Sequence, residues 1–182
     1  EFYLRFLPVA PGVNFLQPFY KLNGIGSNLV ISIGSSLTTS AWHHIAMTVQ
    51  VGSADTDTST IKVYLDGVLK GTATNGPKKS DHEATTIESD MSWAIGARTD
   101  KDSSASPTAA DRTSSVIDEV AFWTTALPAD DIGTLYNSGN GTFDLSSDFG
   151  SYNSSSSLQH WFRLNNDLSD STGNASDGAS QG

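Results

Sequence analysis

The feature that most constrains this chain is the run Ile61-Lys62-Val63-Tyr64-Leu65-Asp66-Gly67-Val68-Leu69. Ile61, Val63 and Leu65 recur at period two, so three branched apolar side chains share one face of a strand while Lys62, Tyr64 and Asp66 share the other. Asp-Gly suits the positive backbone angles of a tight hairpin turn, and Val68-Leu69 resumes the apolar run. A lone hairpin with one dry face is not stable in water, so the run must belong to a larger antiparallel sheet covered on that face.

The same alternation returns at Phe2, Leu4 and Phe6; at Leu29, Ile31 and Ile33; at Ile45, Met47 and Val49; and at Trp93, Ile95 and Ala97. The residues of opposite parity or flanking position, among them Tyr3, Arg5, Ser32, His44, Thr48 and Arg98, are more polar. Turn residues punctuate these strands at Pro11-Gly12, Asn23-Gly24, Gly34-Ser35 and Asn75-Gly76-Pro77. One short helix breaks the pattern at residues 128–137, where Pro128 opens it, Asp130 and Asp131 complement the positive end of the dipole, and Ile132, Leu135 and Tyr136 face the sheet. The expected fold is therefore all-β, an antiparallel two-sheet jelly-roll sandwich with one short helix. Residues 72–89 and 99–114 read as long polar loops, and Ser146 to Ser157 as a Ser-rich connector. The domain layout expected is a sandwich over 1–145, the connector over 146–157, and an additional strand with a flexible tail over 158–182.

Charge and composition remove several function classes. Twenty acidic against ten basic side chains give a net charge of -10, which repels phosphate backbones and makes nucleic acid a poor partner. With no cysteine the chain has neither disulfides nor thiolate metal sites. No apolar run approaches the roughly 20 residues of a membrane span, so membrane insertion is not expected. The chain opens at Glu1-Phe2-Tyr3-Leu4-Arg5-Phe6, inside an apparent strand, and reads as a piece of something longer or a processed product.

Five segments taken in order carry a resemblance: Trp42-His43-His44-Ile45-Ala46; Ile61 to Gly67; Trp93-Ala94-Ile95-Gly96; Ile117-Asp118-Glu119-Val120-Ala121-Phe122-Trp123; and Leu135-Tyr136-Asn137-Ser138-Gly139. Together they resemble the laminin G-like branch of the concanavalin A-like lectin/glucanase jelly rolls. The resemblance implies the sandwich already read from the strands. It also implies a choice among glycan, protein or calcium binding and pure architecture, which a fold alone does not decide.

The candidate sites are accordingly weighed one by one. A retaining glycosidase needs two carboxylates about 5 to 5.5 Å apart across the sugar. Glu88-Ser89-Asp90 starts the expected alternating acidic strand, but Met91-Ser92-Trp93 follows where the third acid is due, and the adjacent Asp118 and Glu119 point to opposite faces. His43-His44 likewise diverge and read as structural, with one of them hydrogen-bonded at a sheet edge or face. Calcium is the one cofactor to consider, since related domains hold it at the sandwich rim, and Asp55 and Asp57 are its candidate ligands. Against that, Asp55-Thr56-Asp57 also has the composition of a solvated acidic turn. Glycan binding wants aromatic faces with planar polar groups, and Tyr3, Arg5, His44, Tyr64 and Arg98 are the ligand-binding candidates for a concave sheet; packing beneath loops or the helix is the competing expectation. Asn140, Asn153 and Asn174 sit in Asn-x-Ser/Thr sequences, a pattern that Ser-rich chains produce by chance.

The last segment, Leu158-Gln159-His160-Trp161-Phe162-Arg163-Leu164 with Asp170-Ser171-Thr172-Gly173-Asn174, resembles the element that opens a laminin G-like domain, yet here it comes last. It either closes its own sandwich as a permuted edge or belongs to a repeat whose neighbour fills the open edge, in which case strand exchange with a neighbouring subunit is expected. The function expected is a non-enzymatic binding or structural module, extracellular or on a virion surface, with a glycan or a neighbouring protein subunit as partner. A phage or virus fibre, a capsid decoration and a microbial adhesin are the settings considered. The alternative is an accessory carbohydrate-binding domain, or the catalytic domain, of a glycoside hydrolase.

Overall fold

The computed structural model describes residues 2–10, 13–22, 25–28, 31–34, 41–83, 95–96, 115–140 and 143–174, with side chains from residue 41 onward. Two compact units emerge. One comprises Glu1–Thr85 with Thr125–Ser155, the other Thr86–Thr124 with Ser156–Gly182.

The first unit holds two antiparallel sheets, the architecture expected for a sandwich of this kind. In the first, β2 (Val13–Leu22) pairs with β1 (Phe2–Ala10) along one edge, and along the other with β3 (Ile25–Asn28) beside Phe19 to Leu22 and β4 (Ile31–Gly34) beside Asn14 to Leu16. The strand β2 escapes the alternation test because Phe15 and Phe19 occupy one parity and Leu16, Tyr20 and Leu22 the other, so the period-two signal cancels. In the second sheet β5 (Ile45–Gln50), β6 (Thr60–Leu65) and β7 (Val68–Ala73) run in sequence order.

Burial follows the predicted parity. Ile61, Val63, Leu65 and Ala73 are buried on one face of the second sheet, and each large one contributes about 1.5 to 3 kcal/mol by leaving water. Tyr64, of the opposite parity, is only 2% exposed, so β6 is covered on both sides. The hairpin turn is as expected: Asp66 and Gly67 both have positive φ, 52° and 73°.

Beyond β7 the chain makes a close backbone crossing. The Ser59 hydroxyl and N–H both donate to the Pro77 carbonyl at 2.7 and 2.9 Å, and Gly76 N–H returns to the Ser59 carbonyl at 3.0 Å. A Cβ at Gly76 would lie 2.8 Å from the Ser59 oxygen, so only glycine fits. The segment expected as the first polar loop thus begins inside β7 and includes a short helix, α1 (Lys79–Glu83). The second expected loop, 99–114, lies outside the described residues, as do the Pro11-Gly12, Asn23-Gly24 and Gly34-Ser35 turns in part or whole. Of the Trp93 strand only Ile95 and Gly96 are described, in a bend where Gly96 has φ 77°.

Helix α2 (Ala129–Tyr136) forms where predicted, with Pro128 in extended conformation at its N-cap and Asn137 in the left-handed region at its C-cap. Ile132 is fully buried. The following Ser-rich stretch stays with this unit through Ser155: Phe149 and Tyr152 form an antiparallel bridge, Tyr152 is fully enclosed, and its hydroxyl donates to the Leu145 carbonyl at 3.0 Å. Phe143 stacks on Phe149 with centroids 4.2 Å apart.

The second unit is built on β8 (Val120–Trp123) and β9 (Leu158–Phe162), antiparallel with Ala121 opposite Trp161. The strand expected from Ile117 starts only at Val120, because Glu119 has φ 54° and breaks the extended run.

Candidate functional site

In the first unit the turn between β6 and β7 organises the surface. Asp66 folds its carboxylate back, so that Oδ1 accepts the His44 N–H at 3.0 Å and Oδ2 accepts from His43 Nδ1 at 2.8 Å, while Asp66 N–H donates to the His44 carbonyl at 2.8 Å. A carboxylate only accepts, so His43 carries its hydrogen on Nδ1. The clasp ties the chain entering β5 to the hairpin. Helix α2 seats against the same turn: a Cβ at Gly67 would lie 3.1 Å from Tyr136 Cδ1, and the His44 ring is 6.2 Å from that of Tyr136. His44 is half-buried, and its Nδ1 has no hydrogen-bond partner among the described residues. Burial pushes its pKa down, and the negative Asp66 offsets only part of that.

Next to this clasp lies exposed apolar surface. The register places Ile45 and Val68 on either side of Leu65 in one row, and both are exposed. Trp42, held at the hairpin by its neighbour His43, is 66% exposed. A large indole left in water on a clasped segment is the strongest ligand platform among the described side chains.

The structure distributes the predicted ligand residues differently. Tyr3 and Arg5 lie on β1, opposite Phe19 and Gln17 in the first sheet, whereas His44 and Tyr64 belong to the second. His44 and Tyr64 share one parity there, since Ala46 pairs with Tyr64 and Ile45 with Leu65. Tyr64 is enclosed, and burial raises the pKa of its phenol. Arg98 lies outside the described residues, as do Glu88 and Asp90.

The two candidate calcium ligands are occupied otherwise in this structure. Asp57 Oδ2 accepts the Ala54 N–H at 2.9 Å and the Ser53 hydroxyl at 3.1 Å, and these bonds, the backbone one foremost, lower its pKa. Asp55 pairs with Lys79 at 3.2 Å. Among the described residues no group of three or more His, Asp or Glu is arranged to hold a metal ion.

The second unit carries a second clasp that the strand pattern did not reveal. Asp170 Oδ1 accepts the Trp161 N–H at 2.9 Å, the Thr172 N–H at 3.0 Å and the Thr172 hydroxyl at 2.8 Å, and Oδ2 accepts from His160 Nδ1 at 2.9 Å. Burial alone would raise the Asp170 pKa, but these hydrogen bonds together hold it well below the usual carboxylate range. Beside it, Trp161 is 5% exposed, its indole N–H donates to Glu119 Oε2 at 2.7 Å, and the Arg163 guanidinium lies 4.9 Å from its ring centroid. Arg163 Nε and Glu119 Oε1 are 3.7 Å apart, an ion pair without a hydrogen bond. Asp-x-Thr, whose carboxylate takes the N–H and hydroxyl two residues on, is the local sequence signal for this turn.

Comparison with known proteins follows the fold. No curated protein matches the chain. A solved S-layer domain-containing protein from Clostridium thermocellum ATCC 27405 is 23% identical over 74% of this chain, with a TM-score of 0.38, and the match spans 61% of that protein's chain. The family model Laminin_G_3, described as the concanavalin A-like lectin/glucanases superfamily, matches residues 6–133, most of the chain and all of β2 to β8. That family embraces carbohydrate- and protein-binding modules as well as glycosidases, and among the described residues no helix is long and apolar enough to cross a membrane. With β2 to β7 and the Asp66-Gly67 hairpin inside the matched span, the chain belongs to the concanavalin A-like lectin/glucanases superfamily, in its laminin G-like branch.

Proposed function

We propose that this chain is a non-enzymatic, extracellular surface module that binds a glycan through the hairpin end of the second sheet, with Trp42 as the stacking platform. The observation that carries this reading is the 66% exposure of Trp42 on a segment held by the His43–Asp66 clasp. An indole face suits the C–H surface of a sugar ring, and a segment fixed in advance loses little entropy on binding. The non-enzymatic part is supported by how the carboxylates are spent: Asp66, Asp170 and Glu119 each bind backbone or ring N–H groups of their own fold, and acid–base work needs a carboxyl within reach of substrate. A phage or virus fibre, a capsid decoration or a microbial adhesin suits an acidic module without cysteine.

The test is a glycan array run with and without calcium, followed by a reducing-sugar assay on every glycan retained. Retention that Trp42→Ala reduces at least about tenfold, the scale of one lost stacking contact, is the expected result. Retention that depends on calcium would restore Asp55 and Asp57 as ligands. No retained glycan, or release of reducing ends, would defeat the reading.

A further inference from the structure

We propose that Asp170 to Asn174 form a strap over the edge of β9 that faces away from β8, and that releasing the strap lets β9 pair with β9 of a second copy of this chain. This inference is independent of the glycan reading. In the β8–β9 ladder, Phe122 faces His160 and Val120 faces Phe162, so the backbone groups of Gln159 and Trp161 point to the other edge. The strap takes three of these groups. Trp161 N–H donates to Asp170 Oδ1 at 2.9 Å, the Trp161 carbonyl accepts Ser171 N–H at 2.8 Å, and the Gln159 carbonyl accepts the Thr172 hydroxyl and the Asn174 amide, both at 2.9 Å.

Only one of these four contacts is a backbone-to-backbone bond; the other three use side chains. Apart from the isolated antiparallel bridge between Asp170 and Phe162, the strap imitates a partner strand with side chains, and the edge exposed on its release is a template for another strand. The partner with matching geometry is β9 itself. An antiparallel pairing about His160 sets Gln159 of each copy against Trp161 of the other, a self-complementary arrangement that closes as a two-fold dimer. Charge does not oppose the pairing there: Leu158 to Arg163 contains no carboxylate in a chain of net charge -10, and Arg163 offsets the neighbouring Glu119 at 3.7 Å.

The test is sedimentation velocity of the full chain over a concentration series, with hydrogen exchange at the Trp161 amide. Asp170→Ala is expected to associate at least about tenfold more tightly than the unaltered chain. Its Trp161 amide should exchange freely when dilute and regain protection as the dimer forms. The double variant Thr172→Val, Asn174→Ala keeps the buried carboxylate with its bonds to His160 and to the Trp161 and Thr172 N–H groups, removes the Thr172 hydroxyl bond to it, and frees the Gln159 carbonyl; it is expected to shift association in the same direction by less, and it decides the matter if Asp170→Ala does not fold. Folded variants that stay monomeric throughout would overturn the proposal. So would association without protection at Trp161, or an unaltered chain that associates as tightly as the variants.

Discussion

The two units each use one aspartate for the same job, and they use it at different depths. Asp66 and Asp170 both bind the Nδ1 of a histidine through one oxygen and the backbone N–H of the next residue through the other. Asp66 does so from a hairpin turn with its side chain 26% exposed to water. The side chain of Asp170 is fully enclosed, and Thr172 supplies two further donors. A surface clasp needs few partners because water completes its shell, whereas an enclosed charge must find its whole shell in the protein. The difference teaches that one local motif can act as a positioning device for exposed residues in one unit and as an internal keystone in the other.

Removal of each carboxylate tests that contrast directly. Asp170→Ala strands the Trp161 N–H and the Thr172 donors in a dry site and is expected to cost about 3 kcal/mol. Asp66→Ala strands donors that water can reach and should cost about 1 kcal/mol. Native-state hydrogen exchange reads the two separately, in the amides of β8 and β9 for the first and of β5 and β6 for the second. Equal losses, or a loss in the second unit felt equally in the first, would break the comparison.

The contrast also explains what the sequence disclosed. The strands β5, β6 and β7, the Asp66-Gly67 turn and α2 were legible because each combines a periodic apolar pattern with a local stop signal. The strand β2 was not, since its apolar residues fill both parities. The expected strand starts three residues before β8 because a left-handed Glu119 leaves no compositional trace; its partners Trp161, 42 positions later, and Arg163 account for where that carboxylate goes. Of the predicted ligand residues, Tyr64 and His44 do have one parity in common, but parity says which face a residue takes and not whether a helix covers it. The exposure of Trp42 is not legible in its segment, because burial of a tryptophan depends on tertiary neighbours that its own segment does not name.

The smallest expected effect concerns acid, and it separates the units by pH. His44 has its pKa lowered by burial, so the folded first unit binds fewer protons than the unfolded chain near the ordinary histidine value of 6.5. Stability from this source is therefore complete above that value and falls as pH drops through it. Asp170 also has a lowered pKa, but its ordinary value is 3.8, so its contribution is complete above that value and is lost only as pH falls further. Exchange protection in β5 and β6 should thus decline first, and that in β8 and β9 only below about pH 4. Among the described residues the groups facing His44 are Asp66 on the hairpin, whose charge favours its protonation, and the Tyr136 ring on α2. His44→Leu replaces the Nδ1, which has no hydrogen-bond partner among the described residues, with an apolar group of similar size and should flatten the first decline while leaving the second intact. If His44→Leu keeps the full decline near pH 6.5, the buried imidazole is not its source and the two units answer acid alike.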